Sequence, residues 1–304
     1  MPPFLTSPIT NKDTWEGRAS DFLIGQSNMQ GWRENMEDAH LISLNTEGSK
    51  ISVLGVFDGH GGDQVAKAVS SLILKHITNS PEWKNKSALT STSMASILCK
   101  AFFSVDEEIR VTMGSSTEET GATGLVVVIM PQYIIVANCG DTRCIISCDK
   151  KVSALSVDHK PTDESEKTRI VQAGGTVFRK RVCGGVAVSR SFGDFWFKRN
   201  EELQAHAQQV TVEPYIHTHE RSVATDEFLV CACDGIYDVL TNEQIQKYVV
   251  DALTRGIRNP GTIAELIMTE CLSRGSRDNM SVIIVLFEGA AKQYYRKKHS
   301  CVIS

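Results

Sequence analysis

The stretch LVVVIMPQYIIVANCGDTRCIISC, residues 125–148, decides the fold class. Its apolar, β-branched runs 125–130, 133–138 and 144–148 are parted only by Pro131-Gln132 and by Cys139-Gly140-Asp141-Thr142-Arg143. Spacers this short cannot hold a crossover helix, so the runs predict consecutive antiparallel hairpins rather than βαβ units. Similar runs at 51–57, 228–233 and 281–287 extend the same, largely antiparallel system.

Helical spacing flanks these strands. Val65, Val69, Leu72, Ile73 and His76 share one face, as do Met94, Ile97, Leu98, Ala101, Phe102, Val105 and Ile109. Thr241 with Gln244, and Thr262 with Glu265, each match a capping box, and Gly275 supplies a stop for the second of these helices. A helical pair early, a pair late and strands between them predict an α+β layered domain. Residues 1–20 are polar and carry Pro2, Pro3 and Pro8, so they read as an extended, irregular lead-in to a body at 21–288.

Bulk composition narrows the function. With 41% hydrophobic and 22% charged residues the chain can bury a large core. A net charge of -4 argues against a general nucleic-acid binder, which needs a basic footprint. The nine cysteines are odd in number and several, such as Cys231 and Cys233, sit inside apolar runs, which fits a reducing compartment better than a disulfide framework. The N-terminus lacks a secretory pattern, and no apolar run approaches the roughly 20 residues of a membrane-spanning helix. The expected location is therefore cytoplasmic.

Acidic residues fall where the predicted strands end. Asp58-Gly59 follows VLGVF, Asp141 follows IIVANCG, Asp234-Gly235 follows FLVCAC, and Asp278 precedes SVIIVLF. Strand ends are rigid points from which loops converge, and converging carboxylates repel one another unless a cation joins them. Oxygen-only donors favour Mg²⁺ or Mn²⁺, and a pair of such ions suits phosphoester hydrolysis by acidifying a water and clamping the phosphoryl oxygens. Any single Asp-Gly after a strand is also an ordinary turn signal.

Six segments appear in order: RENMEDAH at 33–40, VFDGHGG at 56–62, NCGDTR at 138–143, AVSRSFGD at 187–194, CDGIYDVL at 233–240 and SRDNMSVI at 276–283. Together they resemble the type 2C metal-dependent protein serine/threonine phosphatases over residues 20–288. The resemblance implies a central sandwich of two antiparallel β-sheets flanked by pairs of α-helices. It implies that Asp58 bridges two Mg²⁺ or Mn²⁺ ions, that the Gly59 carbonyl serves one, that Asp234 and Asp278 serve the other, and that Glu37 and Asp38 act through bound water. His60 resembles the general acid for the leaving oxygen and Arg33 the phosphate clamp, roles that suit an imidazole and a forked guanidinium. Asp141, with Asp234 and Asp238, matches a weaker third metal site, although Asp141 also reads as the cap of a hairpin turn. Arg143 and the stretch 160–194, with Gly174-Gly175 and Arg190, resemble a flap that influences substrate choice. Tyr237 and Ala122 depart from common family residues, and neither is expected to alter a proposed ligand.

The expected partners are phosphoprotein substrates, with a monomer favoured. A non-catalytic scaffold on the same fold would show lost ligands, and a metal nuclease would show a basic channel. Neither is found. The chain ends Cys301-Val302-Ile303-Ser304, which fits a prenylation box, after Lys292, Arg296, Lys297 and Lys298. A prenyl chain at Cys301 plus a basic tail at 289–304 supplies two anchoring signals, so peripheral attachment to a cytoplasmic membrane face is expected.

Overall fold

The computed structural model describes residues 4–295. The strands in chain order are β1 (Phe4–Arg18), β2 (Phe22–Arg33), β3 (Ala39–Ser43), β4 (Ser52–Phe57), β5 (Gly59–His60), β6 (Gly121–Ala122), β7 (Gly124–Ile129), β8 (Tyr133–Cys139), β9 (Arg143–Cys148), β10 (Lys151–Ala154), β11 (Val177–Phe178), β12 (Arg181–Val182), β13 (Phe192–Gly193), β14 (Tyr215–Glu220), β15 (Asp226–Ala232) and β16 (Met280–Phe287). The helices are α1 (Gln64–Thr78), α2 (Ser91–Met113), α3 (Glu164–Gln172), α4 (Asp234–Tyr237), α5 (Asn242–Thr254), α6 (Pro260–Ser273) and α7 (Glu288–Tyr295). The chain is a mixed α+β protein built from antiparallel strands and helices, in two compact units.

The first unit is drawn from Met1–Met36, Cys144–Leu155 and Glu220–Ser304. Its sheet runs β1-β2-β16-β15-β9-β10, with β1–β2, β2–β16, β16–β15 and β9–β10 antiparallel. Alternate residues Val282, Ile284 and Leu286 of β16, with Phe228 and Val230 of β15, pack against Ile245 and Val249 of α5 and Ile263, Ile267 and Met268 of α6. That strand period meeting that helical period is what closes the core. The capping box predicted at Thr241 and Gln244 is present on α5. The one predicted at Thr262 is not: α6 begins earlier, with Asn259 accepting from Thr262 N at 3.0 Å and Pro260 in the first turn, where its missing N–H costs nothing. Gly275, at φ +91°, follows α6 as the left-handed stop.

The lead-in expected to be irregular is instead strand β1, paired with β2 from Arg18↔Leu23 outward. β1 is an edge strand, and its register shifts between Phe4 and Ile9, the interval that holds Pro8. A proline is tolerated there because an edge strand can leave one ladder position unbonded. The proposed basic tail begins as α7, and the Cys301 box lies outside the described residues.

The second unit comprises Glu37–Arg143 and Ser156–His219. Its main sheet runs β14-β8-β7-β4-β3, and β7–β8 is the hairpin predicted around Pro131-Gln132. Val126, Val128 and Ile135 pack against Val65, Val69 and Ile73 of α1 and Ile97, Phe102 and Val105 of α2. The second predicted hairpin is absent: β8 and β9 belong to different sheets, so the turn-like Gly140-Asp141-Thr142 is a sheet-changing connection. Short β5, β6 and β13 form a separate three-stranded sheet in the order β13-β6-β5. α3 and the β11–β12 hairpin build the flap region around a small core of Ile170, Val182, Val186, Val188 and Val210.

Candidate active site

In the second unit, β4 delivers Asp58 at its end. The Asp58 carbonyl accepts from Thr123 N at 2.9 Å, and the Thr123 and Thr142 hydroxyls meet at 2.5 Å, which fixes the backbone beneath the carboxylate. Gly59 follows and lies against the Glu37 backbone, where a Cβ would collide with the Glu37 carbonyl oxygen and sit 3.2 Å from its carbon. Close approach therefore requires glycine and brings the 37–38 segment to the strand end. A carboxylate oxygen of Asp38 lies within 4.8 Å of one from Asp58, and Asp38 is buried. Two carboxylates at that separation repel each other, and their hard oxygen donors suit a divalent cation of the Mg²⁺ or Mn²⁺ type.

His60 lies one residue beyond Gly59. Its Nε2 is 2.7 Å from Oδ2 of Asp194, a carboxylate only 2% exposed that also accepts from Ser191 Oγ at 2.5 Å. Burial on its own would push His60 below the usual imidazole value. The charge and hydrogen bond of Asp194, with Asp141 and Glu37 further out, outweigh burial and raise it. Asp194 moves the other way: burial resists its ionisation, but His60, Ser191 and Lys198 hold it below the usual carboxylate range.

Asp141 is buried and paired with Lys160 Nζ. Arg143 is gripped as a fork by Asp158, through Nε at 3.0 Å and Nη2 at 2.7 Å. Arg190 of the flap binds buried Glu166 of α3, its Nη2 donating at 2.7 Å, and also donates to the Glu213 carbonyl at 2.9 Å. Its place is that of an anchor for the flap.

In the first unit, Arg33 ends β2 and Asp278 precedes β16, the neighbouring strand. Arg33 Nη2 and Asp278 Oδ2 are 2.5 Å apart, and Asp278 Oδ1 accepts from Asn279 N at 2.8 Å. Asp234 opens α4 directly after β15. Gly235 presses against the same segment: a Cβ there would strike the Asn279 carbonyl oxygen and stand 3.3 Å from the Asp278 Cβ. The structure thus pairs Arg33 with Asp278 and packs the residue after Asp234 against the Asp278 segment. Asp238 caps the end of α4 and is exposed.

Two functional residues carry no role that their sequence neighbourhood discloses. Asp194 closes the motif AVSRSFGD and Glu166 had no motif at all, and each acts through partners far along the chain.

In the second unit, strand-end carboxylates of hard-metal character and an imidazole held by a buried acid suit a metal-dependent phosphatase. The chain matches the family Protein phosphatase 2C over residues 22–280. It is 39% identical over 297 residues to Protein phosphatase 1A of Homo sapiens, covering 96% of this chain and 78% of that protein. It is 35% identical over 317 residues to Protein phosphatase ppm-1.A of Caenorhabditis elegans, covering 99% of this chain and 66% of that protein. A solved phosphatase from Toxoplasma gondii shares the fold with a TM-score of 0.80 at 24% identity, over 92% of this chain and 96% of that one. The chain belongs to the protein phosphatase 2C family of metal-dependent protein phosphatases.

Proposed function

We propose that this protein hydrolyses phosphoserine and phosphothreonine in protein substrates at a centre of two Mg²⁺ or Mn²⁺ ions. Asp58 is assigned to both ions, the Gly59 carbonyl to one, Asp234 and Asp278 to the other, and Glu37 and Asp38 to their water shell. The observation that carries this reading is the Asp38–Asp58 pair within 4.8 Å beside His60, a donor set that calls for a cation. When bound, such ions supply Lewis acidity, which acidifies a water and neutralises phosphoryl oxygens. Arg33 orients a phosphate by donating two hydrogen bonds from its guanidinium, and His60 gives a proton to the departing serine or threonine oxygen. A third, weaker ion is assigned to Asp141 and Asp238, and it competes with Lys160 for Asp141.

The test is hydrolysis of a phosphothreonine peptide with and without Mn²⁺ or Mg²⁺, beside Asp58→Asn and Asp234→Asn. Activity is expected only with metal and should fall by about 100-fold or more in either variant. Turnover without metal, or full activity in both variants, would sink the assignment.

Membrane attachment through prenylated Cys301 and the basic tail is a separate proposal, supported by sequence alone. Among the described residues no helix is long and apolar enough to cross a membrane. Fractionation of native cells should place the protein with membranes and Cys301→Ser should release it; an unchanged distribution refutes the anchor.

A further inference from the structure

We infer that Asp194 is the positioning residue for His60, fixing which imidazole nitrogen delivers the proton and where that nitrogen points. The inference rests on the reading of His60 as the general acid.

The pairing is built by the fold rather than by local sequence. β6 sits between β5 and β13, so that Gly121 is the cross-strand partner of both His60 and Gly193. A Cβ at Gly121 would strike Asp194 Oδ2 and stand 2.5 Å from His60 Nε2, so the strand between the two partners must be bare at that position. Asp194 itself holds φ 50° and ψ 40°, a left-handed conformation that costs a non-glycine residue about 1 kcal/mol or more. Several contacts maintain it. Asp194 N donates to the Thr120 carbonyl at 2.9 Å, Ser191 Oγ donates to its carboxylate, and Lys198 Nζ donates to the Ser191 carbonyl at 2.8 Å. Lys198 in turn pairs with buried Asp106 at 2.8 Å, which accepts from Gly193 N at 2.8 Å. The segment 191–194 is thereby fixed from behind, and a strained, buried carboxylate is presented to one ring nitrogen.

A carboxylate only accepts, so Nε2 keeps its hydrogen whether the ring is charged or neutral. Nδ1 is then the nitrogen that exchanges. As the phosphorus–oxygen bond to the serine or threonine breaks, the electron pair stays on that oxygen, which takes the Nδ1 proton. The ring is left as the Nε2–H tautomer that Asp194 already holds, and solvent water returns the proton to Nδ1. No reorientation is needed between turnovers. An aspartate that fixes the tautomer of a catalytic histidine can be worth several orders of magnitude in rate.

Asp194→Asn tests this, because an amide can donate to Nε2 and reverse the tautomer. Two substrates are compared on the metal-loaded enzyme: a phosphothreonine peptide, whose alkoxide needs a proton, and p-nitrophenyl phosphate, whose phenolate leaves without one. The variant should lose about 100-fold in kcat on the peptide and at least about 10-fold less than that on the aryl ester. His60→Gln should show the same selectivity, and the double variant should be no worse than His60→Gln alone. Nitrogen-15 spectra of the imidazole should report Nε2–H in the native protein and Nδ1–H in Asp194→Asn. Should thermal melting show that Asp194→Asn does not fold, Ser191→Ala loosens the same carboxylate and should give about a 3- to 10-fold loss with the same selectivity. Equal losses on both substrates, or additive losses in the double variant, overturn the positioning role. If His60→Gln itself loses equally on both substrates, it is the general-acid reading that fails. A selective His60→Gln beside a non-selective Asp194→Asn overturns the inference alone.

Discussion

Replacing Glu166 with glutamine should remove about 3 kcal/mol of stability at neutral pH and almost none in strong acid. Glu166 is 4% exposed and accepts from Arg169 Nη2, Arg190 Nη2 and Ser189 Oγ, each at 2.7 Å. Burial opposes its ionisation, yet the hydrogen bonds and charges of Arg190 and Arg169, helped by Ser189, bring its pKa from 4.5 to about 2. At about 1.4 kcal/mol per pKa unit, that preference for the charged form is worth about 3 kcal/mol, at the low end of the 3–5 expected for stripping one partner from a buried ion pair. The folded value is depressed, so the contribution is complete above the unfolded value and is lost as pH falls from about 4.5 to about 2. Urea unfolding of native protein and Glu166→Gln should therefore differ by about 3 kcal/mol at pH 7 and by less than half of that near pH 3. His159 loosens both proteins over a different window. Burial, then Arg190, lowers its pKa from 6.5 to about 4, so stability falls as the unfolded chain takes up a proton between those values. Glu166 partly offsets that lowering, so Glu166→Gln carries the His159 loss to somewhat lower pH, a smaller effect than the ionisation of Glu166 itself. A loss under about 1 kcal/mol at pH 7, or a difference that does not shrink with acid, would refute the view of Glu166 as the charged hub of the flap.

Three further substitutions probe close packing and capping. Gly121→Ala inserts a methyl between His60 and Asp194, and steady-state kinetics on a phosphothreonine peptide should show about a 10- to 100-fold drop in kcat; native turnover would contradict the tight approach. Gly25→Ala places a Cβ 2.5 Å from the Pro260 carbonyl carbon, backbone against backbone between β2 and α6, and should cost about 1–3 kcal/mol or more in chemical unfolding. Thr90→Ala removes half of the capping box that starts α2 and should cost about 1 kcal/mol, read from the unfolding midpoint at constant slope.

What the sequence discloses depends on whether a residue's role is local. β7, β8 and β16 are legible because each holds a β-branched, apolar run, α1 and α2 because their buried residues keep the helical period, and α5 because of its capping box. β2 is illegible for a physical reason. Its centre is Gly25-Gln26-Ser27, which breaks any apolar pattern, yet Gln26 and Ser27 are buried and Ser27 Oγ bonds Thr14 Oγ1 at 2.8 Å, while Gly25 makes room for α6. The connection after β8 looks like a hairpin in sequence because Gly140-Asp141 carries turn chemistry, and turn chemistry does not say which sheet the next strand joins. The motif around Asp194 suggests no role for it, since its partner lies 134 residues away across three strands of two residues each.

The two Asp-Gly steps sharpen the choice between a turn signal and a site. A glycine that serves a tight hairpin turn earns its place through positive φ, where other residues are strained. Neither Gly59 nor Gly235 lies in that region. Each is instead a point of contact: Gly59 against the backbone of Glu37, Gly235 against the backbone of Asn279 next to Asp278. In both units, then, the missing side chain lets a second acid-bearing segment close on the aspartate that ends a strand. Turn formation alone would not require this crowding, whereas gathering carboxylates does. It follows that Gly59→Ala should spare the β4 ladder, which ends before it, while displacing Glu37 and Asp38 from Asp58. The expected signature is a weakened apparent Mn²⁺ affinity, measured by calorimetry, with far-ultraviolet circular dichroism unchanged. Unaltered Mn²⁺ binding would return Gly59 to the role of a simple turn residue.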